Sequence, residues 1–228
     1  MKLIDIQKPY NTIISLGSEC GPALHLRRHN LRRASLPFDW VVSPSLADLN
    51  RLIKTKFQGY MEIGNMSKIE KDRPGFVLDE AGNNVGSHSH FIKDNQFNVI
   101  SVHDFPIIPN QEWQTMYPLY KQKLNKRIER FYYLLNNSQS ILLMRWSALN
   151  VDAVQLRSEV TQLEIILSEV VKGEFKILII ISTHGINGIT SMEWGLKNVC
   201  VVQVPYNTNP ITDNTTWDYL LRGISIKG

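Results

Sequence analysis

Ile177-Leu178-Ile179-Ile180-Ile181 is the stretch that decides the fold. Apolar and mostly β-branched residues in unbroken succession leave no polar face, so a strand made from them must be covered on both sides. Ile141-Leu142-Leu143-Met144 and Val199–Val204 have the same character. Between Met144 and Ile177, Val154, Leu156, Val160, Leu163, Ile166 and Val170 recur at helical spacing, led by Asp152 and stopped at Gly173. Upstream, Trp113, Met116, Tyr120, Leu124, Ile128, Phe131 and Leu135 mark a longer amphipathic helix with Pro118 near its first turns. Buried strands separated by helices predict an α/β fold, a three-layer sandwich with a mostly parallel sheet.

The first half of the chain extends this pattern. Ile13–Leu16 reads as a strand and Ala23–Leu31 as the helix after it. Ser43-Pro44-Ser45 supplies a second helix start, with Leu46, Leu49, Leu52 and Ile53 on one face. Residues 58–96 are rich in turn formers (Gly59, Gly64, Pro74-Gly75, Gly82-Asn83-Asn84, Gly86) and read as a small irregular insertion, a hairpin or lid. Beyond it, Phe97, Val99, Ile100 and Val102 read as a second core strand. At 228 residues, with no repeat or low-complexity tract, one domain over 1–228 is expected.

Composition narrows the function classes. Hydrophobic residues make up 43% and charged residues 20%, as in an ordinary globular chain. Neither a signal-peptide run nor a stretch long enough to span a membrane is evident, which leads us to expect a cytoplasmic protein. The two cysteines, Cys20 and Cys200, imply no disulfide framework, and Cys200 lies inside a strand. The net charge of +4 is unevenly spread. Arg27, Arg28, Arg32 and Arg33 form a cluster suited to an anion such as a phosphate, and Lys121, Lys123, Lys126, Arg127 and Arg130 read as the solvated face of the long helix. Nucleic acid is not an expected partner, because no aromatic-and-basic groove pattern accompanies the charge. His88 and His90 share a strand face but lack a third ligand, so no metal centre is expected. The glycine patterns of dinucleotide sites, phosphate-binding loops and serine-hydrolase elbows are all missing, and no cofactor is implied.

In an open parallel sheet ligands bind beyond the carboxyl ends of the strands. Read in turn, those ends carry Cys20, then His103-Asp104, then Arg145-Trp146, then Ser182-Thr183-His184. Cys20 follows the break at Gly17 and precedes a helix opening at Gly21-Pro22, where helix-terminal N–H groups would favour a thiolate. The chemistry assigns Cys20 as nucleophile and His103 as its base, with Asp104 or Asp39 orienting the imidazole and His184 as the competing base. Backbone N–H groups of Ser18, Glu19 and Gly21 would hold an oxyanion. Arg145, Arg28 and Arg32 are the candidates for a substrate carboxylate or phosphate.

Ser15, Leu16, Gly17, Cys20, Ala23, Leu31, Arg32, Ser35 and Pro37-Phe38-Asp39-Trp40, followed later by His103-Asp104-Phe105, carry a resemblance. The segment resembles the start of a bacterial family of unknown function whose members are described as papain-like cysteine peptidases and recur near surface-polysaccharide genes. The resemblance implies a cysteine-nucleophile hydrolase acting on a peptide, a glycan or a small molecule. It concerns the site and not papain's fold, since the C-G-S-C-W signature is absent and the strand–helix alternation differs from papain's two lobes. The strand–Gly–x–x–Cys opening is also similar to coenzyme-A-dependent acyltransferases of capsule assembly, in which case coenzyme A is the implied cofactor and the arginine cluster would hold its phosphates. A non-catalytic carbohydrate- or nucleotide-binding module would use the same edge without an ionised thiol.

Overall fold

The computed structural model describes residues 1–70, 74–147 and 152–227, so residues 71–73 of the expected insertion lie outside it. In chain order the strands are β1 (Pro9–Tyr10), β2 (Thr12–Ser15), β3 (Val41–Val42), β4 (Met66–Ile69), β5 (Gly75–Leu78), β6 (Asn84–Asp94), β7 (Val99–Pro106), β8 (Ser140–Trp146), β9 (Glu174–Thr183), β10 (Thr190–Met192), β11 (Val199–Pro205) and β12 (Ser225–Ile226). The α-helices are α1 (Gly21–Arg28), α2 (Leu46–Lys54), α3 (Tyr117–Asn137), α4 (Ala153–Val170) and α5 (Asn214–Leu220). Local chemistry sets their ends. Ser45 caps α2 by accepting from the Asp48 N–H at 3.0 Å, and Asp152 caps α4 by accepting from Gln155 N–H at 2.8 Å. Pro118 occupies the first turn of α3, where a missing N–H costs least.

The apolar runs form one five-stranded sheet in the order β10-β11-β9-β8-β2. Its pairs β11–β9, β9–β8 and β8–β2 are parallel, and β10 closes one edge antiparallel. Every residue of β8 is buried, which is why its sequence shows no alternation. Ile141, Leu143, Ile177, Ile179, Val199 and Val201 pack into one core with α2, α3 and α4, while Leu142, Met144, Leu178, Ile180, Cys200 and Val202 pack into another with Leu26 of α1 and Trp217 and Leu220 of α5.

The expectation of a single, mostly parallel three-layer sandwich needs correction. The chain is a mixed α/β protein whose strands divide among several sheets. β3, β7, β6 and β4 form a separate antiparallel sheet, with β5 also on β6. The expected insertion is therefore organised structure: β4, β5 and all of β6 are its residues. β7, read from sequence as a second strand of the parallel sheet, belongs instead to this second sheet. Hydrophobic pattern reports burial and not strand direction, and the turns that reverse the chain between β6 and β7 decide the matter. No helix among the described residues is long and apolar enough to cross a membrane.

Candidate active site

β2 ends at Ser15, and the chain must turn sharply to enter α1 at Gly21. Gly17 (φ +72°) and Ser18 (φ +30°) make that turn with positive φ, a conformation that carries strain at Ser18 because it has a Cβ. A side chain on Gly17 would also meet Ser43 Oγ at 2.9 Å. Arg145, fully buried on β8, braces the turn from below: its guanidinium donates to the Leu16 carbonyl at 2.7 Å and to the Ser43 carbonyl and Oγ, and the Ser43 N–H donates to the Ser18 carbonyl at 2.8 Å. Arg145 is therefore committed to backbone and is not poised for a substrate anion. Burial lowers its pKa to about 10.

Cys20 is the N-cap residue of α1, and Sγ lies against its own N–H. The thiol is only 6% exposed and packs with Ala23, Trp40 and Val102, with Val42 and Ile100 around them. Burial, and after it the carboxylates of Glu19, Asp39 and Asp104, push the thiol up to about 12. This reverses the thiolate expected from the helix terminus, because an eight-residue helix cannot outweigh desolvation and three nearby acids. Among the described residues nothing accepts from the backbone N–H groups of Ser18, Glu19 or Gly21. A Cβ on Gly21 would lie 2.4 Å from the Pro210 carbonyl, so only glycine fits where the loop after β11 crosses α1.

His103 sits within β7 and not at the end of a parallel strand, on a bulge. Phe105 pairs with His90 and Ser101 with Ile92, so residues 102–104 lie opposite Phe91 alone. The bulge sends neighbouring side chains to different partners. His103 Nδ1–H donates to the Phe76 carbonyl of β5 at 2.6 Å, and its ring meets Trp40 edge-on at 6.1 Å. Burial lowers its pKa, so at neutral pH the imidazole is uncharged with Nε2 carrying the lone pair. Asp104 accepts both Arg127 guanidinium nitrogens, at 3.0 and 2.9 Å, and Ser101 Oγ at 3.3 Å. Those partners, and not His103, hold its carboxylate. Arg127 itself is 3% exposed, so the solvated face read for α3 does not include it.

Asp39 accepts from Arg32 Nε at 3.0 Å and from the Leu36 N–H at 2.9 Å. Its burial outweighs the guanidinium and raises its pKa. Ser35 Oγ accepts from Arg32 and from Trp40 Nε1 and donates to the Glu80 carbonyl, while the Arg32 guanidinium lies 4.7 Å over the Trp40 ring. Arg32, Ser35, Asp39 and Trp40 thus form one connected scaffold beside Cys20. Arg28 is likewise engaged, by Asp218, the Asn214 carbonyl and the two histidines His25 and His29. Arg27 donates to the Gly82 carbonyl and Asn83, and Arg33 to the Lys227 carbonyl. The arginine cluster expected to hold phosphates is spent on internal partners.

Beyond the carboxyl ends of β2, β8, β9 and β11 opens a cavity of about 270 Å³, lined by Glu19, the chain neighbour of Cys20, and not by Cys20 itself. Ser18 and Glu19 form one wall, Trp146, Ser147 and Ser182 the floor, Tyr206, Thr208 and Pro210 the far side. Val42 belongs both to this wall and to the packing around Cys20. His184 is stacked on Tyr206 with ring centres 3.4 Å apart and lines a neighbouring cavity that shares Ser182 and Tyr206 with the first. The strand-end rule also leads from Val199–Val204 to Tyr206, a signal present in the sequence. From sequence alone Glu19 offers only its N–H. In the structure the Glu19 carboxyl is half-buried on the cavity wall, and burial raises its pKa to about 7. Among the described residues, no group of three potential ligands is placed to hold a metal ion.

Fold and site together define a mixed α/β protein with a candidate cysteine centre where a parallel strand turns into a helix. The chain belongs to the family described as "Putative papain-like cysteine peptidase (DUF1796)", whose model matches residues 11–185. That span takes in Cys20, Asp39, His103, Asp104 and His184. Uncharacterized protein R408 of Acanthamoeba polyphaga mimivirus is 31% identical over 137 residues, covering 58% of this chain and 60% of that protein. This relative is viral, and it lends no support to a bacterial origin or a surface-polysaccharide setting. No solved structure matches the chain.

Proposed function

We propose that the protein is a cysteine-dependent hydrolase of amide or ester bonds in a peptide or acylated glycan, with Cys20 as nucleophile and His103 as base. The observation that carries this reading is the placement of Cys20 at the strained Gly17–Ser18 turn, at the α1 terminus and next in the chain to Glu19 of the strand-end cavity. Membership of a family described as cysteine peptidases supports it. Because the resting thiol is held neutral, its proton leaves as it attacks: the S–C bond forms, His103 Nε2 takes the proton, and the carbonyl oxygen gathers charge near the N–H groups of Ser18, Glu19 and Gly21, which have no acceptor among the described residues. The leaving group departs with that proton, and water attacks the thioester with His103 again as base. Two free, buried thiols suit a reducing compartment such as the cytoplasm.

p-Nitrophenyl acetate tests the chemistry without knowledge of the substrate. Cys20 attack would release p-nitrophenolate and leave an acetyl group on Sγ, read by peptide mass spectrometry. The parent should acetylate at Cys20, Cys20→Ala should not, and His103→Ala should slow the reaction by about 10²–10⁴-fold, with His184→Ala near the parent rate. Equal rates in parent and His103→Ala would remove His103 as base. Absence of acetylation at Cys20 in the parent would remove the nucleophile.

A further inference from the structure

Among the described residues, the wall of the cavity that Glu19 lines carries one carboxylate and no cation. Glu19 carries that carboxylate, and among the described residues neither hydrogen bond nor ion pair reaches it. A half-buried acid with no compensating partner is costly to keep, and its environment is incomplete without a donor. Nearby cations are not free to supply one. Arg145 is locked on Leu16 and Ser43, Arg28 on Asp218, and Arg32 on Asp39. The remaining surfaces, Val42, Pro44, Trp146 and Pro210, are apolar, with the hydroxyls of Ser18, Ser182 and Thr208 between them. Apolar walls leading to a single acid match a hydrocarbon stem that ends in a positive charge.

We propose that this cavity is a specificity pocket for a primary ammonium or guanidinium group of the substrate, with Glu19 as its counter-ion. The assignment rests on the hydrolase reading only in placing the scissile bond at Cys20. The substrate class is then an acyl compound with a basic side chain or amine close to the bond cleaved, such as a peptide carrying lysine or arginine. Because Glu19 adjoins Cys20 in the chain, cation recognition and attack would be positioned by the same turn. The carboxylate must be ionised to act, so recognition would weaken as pH falls below about 7.

The test uses n-butylguanidinium and n-butylammonium as probes, with neutral N-butylacetamide as control, titrated into Cys20→Ala so that thiol chemistry plays no part. The Trp146 indole N–H, held by Ser182 Oγ at 3.2 Å on the cavity floor, reports binding by its NMR shift. Saturable binding of the cations at pH 8, at least about tenfold tighter than the control and weakened about tenfold by Glu19→Gln, supports the pocket. A fall in affinity between pH 8 and pH 6, measured without the Glu19 substitution, supports it even if Glu19→Gln folds poorly. Equal shifts from the neutral control, or affinity unchanged by both pH and Glu19→Gln, overturn it. Acetylation of Cys20 without cation binding overturns the pocket alone, whereas cation binding in a protein whose thiol never acylates overturns the hydrolase alone and leaves the pocket standing.

Discussion

Two side chains of one short helix, Cys20 at its start and His25 within it, are held neutral by burial. His25 is 2% exposed, stacked on Trp217 at 4.8 Å, and hydrogen-bonded through Nε2 to the Ile211 carbonyl at 3.0 Å. Its Nδ1 accepts from Arg28 Nε at 3.3 Å, so a second ring proton would face a cation. Burial, then Arg28 and His29, lower its pKa to about 4, against the opposing pull of the Ile211 carbonyl and Asp218. Unfolded, the imidazole would protonate near pH 6.5. Between pH 6.5 and about 4 the unfolded chain binds a proton the folded chain refuses, so stability falls as pH drops through that window and is unaffected above it. Glu19 has the opposite sign, since its raised pKa favours the folded state at low pH and loses that advantage as pH rises to about 7. Urea titrations of parent and His25→Gln separate the two. The parent should lose more stability between pH 6.5 and pH 4, with one proton limiting the difference to about 1.4 kcal/mol per pH unit, and equal slopes would show that His25 protonates freely. The position of Cys20 was legible because Gly17 and Gly21-Pro22 punctuate the chain around it. Its ionisation was not, because the burial that dominates it, and two of the three acids that oppose it, Asp39 and Asp104, are brought to it only by the fold.

At the scale of elements, the Arg127–Asp104 pair ties α3 to the bulge of β7. Arg127 also donates to Glu80 at 3.0 and 2.6 Å, so three segments meet on one guanidinium. Removing one member of such a buried pair leaves the other charge without compensation, which typically costs about 3–5 kcal/mol, whereas removing both costs less than the sum. Arg127→Met and Asp104→Asn should each lower the unfolding free energy by about that amount, and the double variant should be clearly less destabilised than additivity requires. Additive losses would mean that the two side chains act independently. The pair also explains which elements could be read in advance. Helices α2, α3 and α4 and strands β8, β9 and β11 bury continuous or regularly spaced apolar faces, and the one-dimensional pattern reports them. The antiparallel sheet buries one face only in part, its strand β6 begins with five exposed residues, and its bulge breaks the alternation that sequence reasoning relies on. Sequence adjacency pairs Asp104 with His103, whereas the extra residues of the bulge turn it toward a cation 23 positions away.

For the whole molecule, the two cysteines sample different parts of the structure. Cys200 lies in β11 between β9 and β10, fully buried in the core shared by α1 and α5. Cys20 lies where α1 meets the antiparallel sheet, against Val102 of β7 and beneath Trp40 in a small separate cluster. That cluster is covered by the partly buried Leu78 and Phe91 of the second sheet, and by the turn whose Gly82 would strike the Trp40 ring at 2.8 Å if it carried a side chain. Regions with few buried contacts open at lower free energy than the sheet whose strands are covered on both faces. In urea below the unfolding midpoint, iodoacetamide should therefore label Cys20 well before Cys200, with Cys200 labelled only as the whole chain unfolds. Mass spectrometry of the two cysteine peptides across a urea series reads both rates at once. Equal rates at every concentration would mean a single cooperative unit in which the candidate nucleophile is reached only by global unfolding. A faster Cys20 would mean that the burial holding its thiol neutral is relieved by a local movement of the second sheet, which is also the movement that carries His103.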